Sequence, residues 1–224
     1  PISRMLILLL SLFTLSFSDP VCNDQQTLDL METCYRRYFS DWGYPDDPIP
    51  FPDFFDGFHK IRAKLLKSDG VGALTFMKEY GSTLTDCLSS VADCIVDVTY
   101  TQSPLLVKDE EGHSYNTDRR ITAYESTDRG NDLFTRHFYC LRKCENADES
   151  QPIEDKCDGD LAKELDDANG DAEKMCRAYD NNMQCFKKMY SDCCGPEGGE
   201  FKCEFFKAEW QIFVPNCDFT PCDQ

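Results

Sequence analysis

The 224-residue chain carries 23 Lys and Arg against 41 Asp and Glu, a formal net charge of -18, and 14 cysteines. So acidic a chain is repelled by phosphate backbones and anionic bilayer faces, which argues against nucleic acid as a partner. High net charge also opposes self-association, so a monomer is expected.

The chain opens PISRMLILLLSLFTLSFSDPVC. Arg4 is a short basic region, and Met5 to Phe17 is apolar apart from Ser11, Thr14 and Ser16. That is the length of a signal-peptide core and short for a membrane span. Small residues Ser16 and Ser18 precede Asp19, so residues 1–18 read as a signal peptide and 19–224 as one secreted, extracellular domain. No later stretch approaches a membrane span, so stable membrane insertion is not expected.

Beyond Asp19 the chain reads as all-α, a disulfide-stapled bundle of six or seven helices. Met31, Cys34, Tyr35, Tyr38, Phe39 and Trp42 share one face of a first helix, which Gly43 ends. Pro45, Pro48, Pro50 and Pro52 then forbid helix and predict an extended strap, pinned to the core by Phe51, Phe54 and Phe55. Asp53 is placed to cap a helix through Phe58, Ile61 and Leu65 that Ser68-Asp69-Gly70 breaks. An amphipathic run follows from Leu74 to Ile95. Residues 101–130 are polar without an apolar helical period, so a long loop, or a short hairpin around Glu111-Gly112, is expected there. As a loop on a rigid scaffold it is the leading candidate for a functional segment.

Helix returns near Asp132, with Phe134, Phe138 and Leu141 on one face, and again through Ile153, Cys157, Leu161 and Leu165. In the next stretch, CRAYDNNMQCFKKMYSDCCG, Asp180-Asn181-Asn182 reads as a turn, with a new helix from Asn182 to a stop at Gly195. Cys176 is then free to staple the preceding segment. Phe201, Phe205, Ala208 and Ile212 mark a last helix, and Pro215 begins a tail held by Cys217 and Cys222.

The candidate site residues are the cysteines themselves: Cys22, Cys34, Cys87, Cys94, Cys140, Cys144, Cys157, Cys176, Cys185, Cys193, Cys194, Cys203, Cys217 and Cys222. All follow the signal segment and their number is even, which in an oxidising compartment reads as seven bridges with no free thiol. No CxxC pair exists, and His59, His113 and His137 are scattered, so structural zinc fits poorly. Adjacent Cys193 and Cys194 read as two bridges leaving a helix end, since a bond between neighbours departs from ordinary disulfide geometry. A strained vicinal bridge acting as a redox switch is the alternative. Cys140 and Cys144, one turn apart, should take different partners.

Cys22-x11-Cys34, FMKEYGSTLTDCLSSVADC, HFYCLRKC and the later Cys176-x8-Cys185-x7-Cys193-Cys194-Gly195 order together resemble the nematode secreted cysteine-rich domain of unknown function, the DUF19 group. The resemblance implies a secreted, helical, disulfide-bonded protein and supplies no catalytic residue. The doubled Cys193-Cys194, the polar 101–130 stretch, and Cys217 and Cys222 depart from that pattern. Cys140-x3-Cys144-x31-Cys176-x8-Cys185-x8-Cys194 also resembles insect odorant-binding proteins, but the upstream spacing and chain length do not match.

Asp167, Asn169 and Asp171 mimic the first positions of a calcium loop, but Ala172 and Ala178 stand where glycine and glutamate are needed. No GxSxG, HExxH, P-loop or cofactor motif is present, so the chain is not expected to be an enzyme and no cofactor is expected. The leading expectation is an extracellular interaction protein with a rigid acidic surface and a partner protein of unknown identity. The alternative is a carrier of a small apolar ligand between helices, which requires a cavity of roughly 300 Å³ or more. The interaction reading expects the aromatics to fill that space, with no charge placed to orient a ligand.

Overall fold

The structure is a computed structural model describing residues 25–44 and 49–223; the proposed signal peptide, Cys22, Pro45 and Pro48 lie outside the described residues. Among the described residues are nine α-helices and no strand. Disulfides join the helices, so the all-α, stapled class holds, with more helices than the six or seven expected.

Helix α1 (Gln25–Asp41) buries Leu28, Met31, Cys34, Tyr35, Tyr38 and Phe39, the face its apolar period predicts. Gly43 ends it with a positive φ of 82°, a backbone region that favours glycine. Asp53 accepts a hydrogen bond from Asp56 N at 2.9 Å and caps a π-helical turn, Phe54–His59, which runs into α2 (Lys60–Asp69). Helix α3 (Val71–Leu88) continues as a 3-10 turn to Cys94, and α4 (Asp97–Thr101) follows.

Tyr35, Phe39, Phe51, Phe58, Tyr100 and Tyr115 meet beneath these elements with ring centroids about 5–6 Å apart. Burying each such side chain contributes roughly 1.5–3 kcal/mol relative to exposure. Their polar ends are satisfied: the Tyr35 and Tyr100 hydroxyls lie 2.8 Å apart, and the Tyr115 hydroxyl donates to Pro52 O at 2.6 Å. Phe51 and Phe54 pin the strap as expected; Phe55 does not, standing 60% exposed.

The expected loop or hairpin at 101–130 is instead mostly helix: α5 (Asp109–Glu125), then α6 (Asp128–Glu145), capped by Thr127. The buried positions of α5 and its cap, Glu111, Gly112, Tyr115, Asn116, Ile121, Thr122, Glu125 and Ser126, recur at helical spacing, but most are polar. A search for apolar periodicity passes over such a face. Gly112 makes no hairpin turn. A Cβ there would lie 2.6 Å from Asp97 O, so glycine lets α5 approach α4.

Helix α7 (Gln151–Ala168) ends at Asn169, whose φ of 47° is left-handed, and Asp171 caps α8 by accepting from Lys174 N at 3.0 Å. The calcium-like residues therefore form a helix-to-helix turn. Helix α8 (Ala172–Cys194) is continuous, against the expected break at Asp180-Asn181-Asn182. Asn182 is buried; it donates to Cys157 O and accepts from Trp210 Nε1, both at 3.1 Å. Asp180 accepts from Thr220 N and from the Thr220 hydroxyl. Residues that read as turn formers are thus occupied by tertiary contacts.

Gly195 and Pro196 turn the chain into α9 (Pro196–Trp210). Helix α8 packs between α7 and α9, while α5 touches α3, α6 and α9. Helix α5 therefore joins the aromatic N-terminal core to the C-terminal helices, and a mainly apolar cleft lies along its flank.

Candidate functional site

A cleft of about 400 Å³ opens between α2, α5, α6 and α9. Apolar walls come from Phe54, Phe55, Leu66, Met77, Ile121, Phe134 and Phe205. Phe55, which the strap does not bury, stands at its margin. Ser114, Thr117, Asp118, Ile121 and Glu125 line it from α5 at offsets of 0, 3, 4, 7 and 11, one helical face.

Its charged wall is a triad. Arg62 of α2 donates to Asp118 and to Glu125 at 2.5 Å each. The side chains are 11%, 11% and 8% exposed, so this is a buried ion network. One guanidinium faces two carboxylates, which leaves a negative charge in excess. Burial pushes both carboxyls above their ordinary range, against the pull of Arg62. Burial likewise works against the Arg62 charge, yet Asp118 and Glu125 hold its pKa above the usual value. Glu209, lining the cleft from α9, is also raised by burial. His59, His113 and Arg142 complete the polar margin; Arg142 is drawn toward Glu145 at 3.4 Å.

Sequence reasoning did not single out Arg62, Asp118 or Glu125. The available signal was the polar helical period within the stretch named as the candidate functional segment. That segment does line the cleft, but as a helix and not as a loop.

The cysteines are distributed as staples, with one exception. Cys34–Cys87 ties α1 to α3, Cys140–Cys194 ties α6 to α8, and Cys157–Cys185 ties α7 to α8. Cys203–Cys222 and Cys176–Cys217 hold the C-terminal tail to α9 and α8, so Cys176 staples the tail and not the segment before it. Cys94 is also bridged, and Cys22 lies outside the described residues.

Cys144 and Cys193 are free thiols, where full pairing was expected. Cys194 takes Cys140, which leaves Cys193 beside the cysteine one turn further along α6. The vicinal bridge does not form. Cys144 is 1% exposed, touches the Cys193 thiol and lies 3.7 Å from Ser150 Oγ. Burial, then the adjacent Cys193 thiol, push its pKa up to about 11. The sulfurs of Cys140, Cys193 and Cys194 lie within 4.8 Å of one another, but the first and last are bonded together and do not offer a metal two thiolates.

No protein-family profile, curated protein or solved structure matches this chain. Among the described residues no helix is long and apolar enough to cross a membrane.

Proposed function

We propose that this is a secreted, non-catalytic carrier whose cleft holds a small, mainly apolar molecule bearing one cationic group. One observation carries the reading: an open apolar cleft of about 400 Å³ faces a buried triad with a carboxylate in excess. Its size falls in the range of small-molecule sites, roughly 300–1,000 Å³. The phenyl faces of Phe54, Phe55, Phe134 and Phe205 suit both an apolar body and a cation. The raised pKa values of Asp118, Glu125 and Glu209 mean these carboxylates lack solvation that a bound ammonium would replace.

This reading moves the emphasis from the acidic interaction surface to the carrier alternative. The interaction reading required a filled interior and no charge to orient a ligand. Abundant disulfides and the apolar N-terminal segment support secretion.

The test is a fluorescence titration with an aromatic amine probe, set against a fatty-acid probe of similar size. Saturable binding of the amine, much tighter than that of the fatty acid, is expected. Ala63→Trp, at an exposed wall of the cleft, should abolish it. Glu125→Gln leaves the Arg62–Asp118 pair balanced and should weaken the amine about tenfold, the loss of one charge-assisted contact. Equal affinity for both probes, or binding unmoved by Ala63→Trp, would overturn the proposal.

A further inference from the structure

Four cysteines meet where the end of α8 reaches α6. Two form the Cys140–Cys194 bridge and two remain thiols. Cys193 is exposed, whereas Cys144 is buried beneath it and in contact with its thiol. One thiol is therefore open to a reagent from solvent and the other only to its neighbour. We propose that Cys193 and Cys144 form a redox-active dithiol that exchanges with low-molecular-weight disulfides of the glutathione type, independently of the cleft.

The exchange balances in two steps. The Cys193 thiol releases its proton to solvent, and its sulfur attacks one sulfur of the small disulfide. That S–S bond breaks, a mixed disulfide forms on Cys193, and one small thiolate leaves and takes up a proton. Cys144 then gives up its proton to solvent, and its sulfur attacks Cys193 Sγ. The mixed S–S bond breaks as a Cys144–Cys193 bond forms, and the second small thiolate leaves and takes up a proton. In sum two protein thiols are oxidised to one bridge, and one small disulfide is reduced to two thiols. The raised pKa of Cys144 keeps it protonated at rest, so the exposed Cys193 is the thiol that meets the reagent first.

Position also favours Cys144 as the resolving group over the existing bridge. Cys140 and Cys144 are one turn apart on α6, and Cys193 and Cys194 are adjacent at the end of α8. Closing Cys144–Cys193 adds a second link between these helices and leaves Cys140–Cys194 in place. Attack by Cys193 on Cys140–Cys194, whose sulfurs lie within 4.8 Å, only exchanges one free thiol for another.

The test equilibrates the full chain in glutathione buffers from reducing to oxidising, alkylates it under denaturation, and maps its peptides without reduction. Two alkylated thiols, at Cys144 and Cys193, are expected to be lost together and replaced by a Cys144–Cys193 peptide. Cys140–Cys194 should stay intact throughout. In Cys144→Ser, glutathione should instead accumulate on Cys193. A Cys144–Cys193 pair that does not change across the buffers, or whose change is accompanied by loss of Cys140–Cys194, would overturn the proposal. So would a Cys193 adduct in the variant that resolves as fast as in the unaltered chain.

Discussion

Trp210 donates its indole N–H to Asn182 Oδ1 at 3.1 Å, tying the last turn of α9 to the middle of α8. The Asn182 amide also donates to Cys157 O, so one side chain holds three helices. Asn182→Ala strands the half-buried indole donor and removes the second bond to Cys157 O, which keeps its partner within α7. An unmet group costs roughly 1–3 kcal/mol, so a loss of about 2 kcal/mol is expected in urea unfolding. A change under half a kcal/mol would show that these bonds are replaced by water.

Arg62 sets a larger effect. Arg62→Ala leaves Asp118 and Glu125 buried without their cation, and breaking such a network by removing one partner costs about 3–5 kcal/mol. Adding Asp118→Asn and Glu125→Gln should recover much of the loss, since neutral amides replace buried charges. Equal destabilisation in the single and triple variants would mean that Arg62 acts by packing alone.

The apolar periods made most helices legible. The face of α1, the stop at Gly43 and the cap at Asp53 follow from local chemistry, and the structure retains them; of the face expected for α9 only Phe201 is buried, and Ile212 lies past the helix end at Trp210. Residues that serve tertiary contacts were not legible. Helix α5 buries Glu111, Asn116 and Thr122 where an apolar stripe was sought, and Asn182 looks like a turn former until Trp210 and Cys157 are seen against it. The cleft was hidden for the same reason. Its charged residues, Arg62 on α2 and Asp118 and Glu125 on α5, are brought together by packing that no local pattern encodes. Phe55 and Phe54 look alike in sequence, yet only packing decides which is buried.

Acidification should release a cationic ligand before the fold fails. Burial raises the Asp118, Glu125 and Glu209 carboxyls, so they protonate at a higher pH than ordinary carboxylates. For an acid whose folded pKa exceeds its unfolded one, protonation favours the folded state, and that gain is lost as pH rises through the folded pKa. These groups therefore do not drive unfolding in mild acid, while their neutralisation removes the attraction for the amine. Amine affinity measured alongside near-UV circular dichroism should fall while the dichroism holds. Binding and dichroism lost together would contradict this.

Cys34–Cys87 staples α1 to α3 in the aromatic core, with a sequence separation of 53. In the chain-entropy account a loop of that length stabilises by about 4 kcal/mol, because the crosslink restricts the unfolded chain. Both half-cystines sit on helices whose aromatic and aliphatic contacts persist without it, so Cys34→Ala with Cys87→Ala should still fold at low temperature. The midpoint of urea unfolding should drop sharply, by an amount matching about 4 kcal/mol. The cleft, bounded mainly by α2, α5, α6 and α9, should keep its amine affinity below that midpoint. A double variant as stable as the unaltered chain would show that the unfolded state is already compact around these helices. Lost affinity in a variant that is still folded would place the Cys34–Cys87 staple in support of the cleft itself.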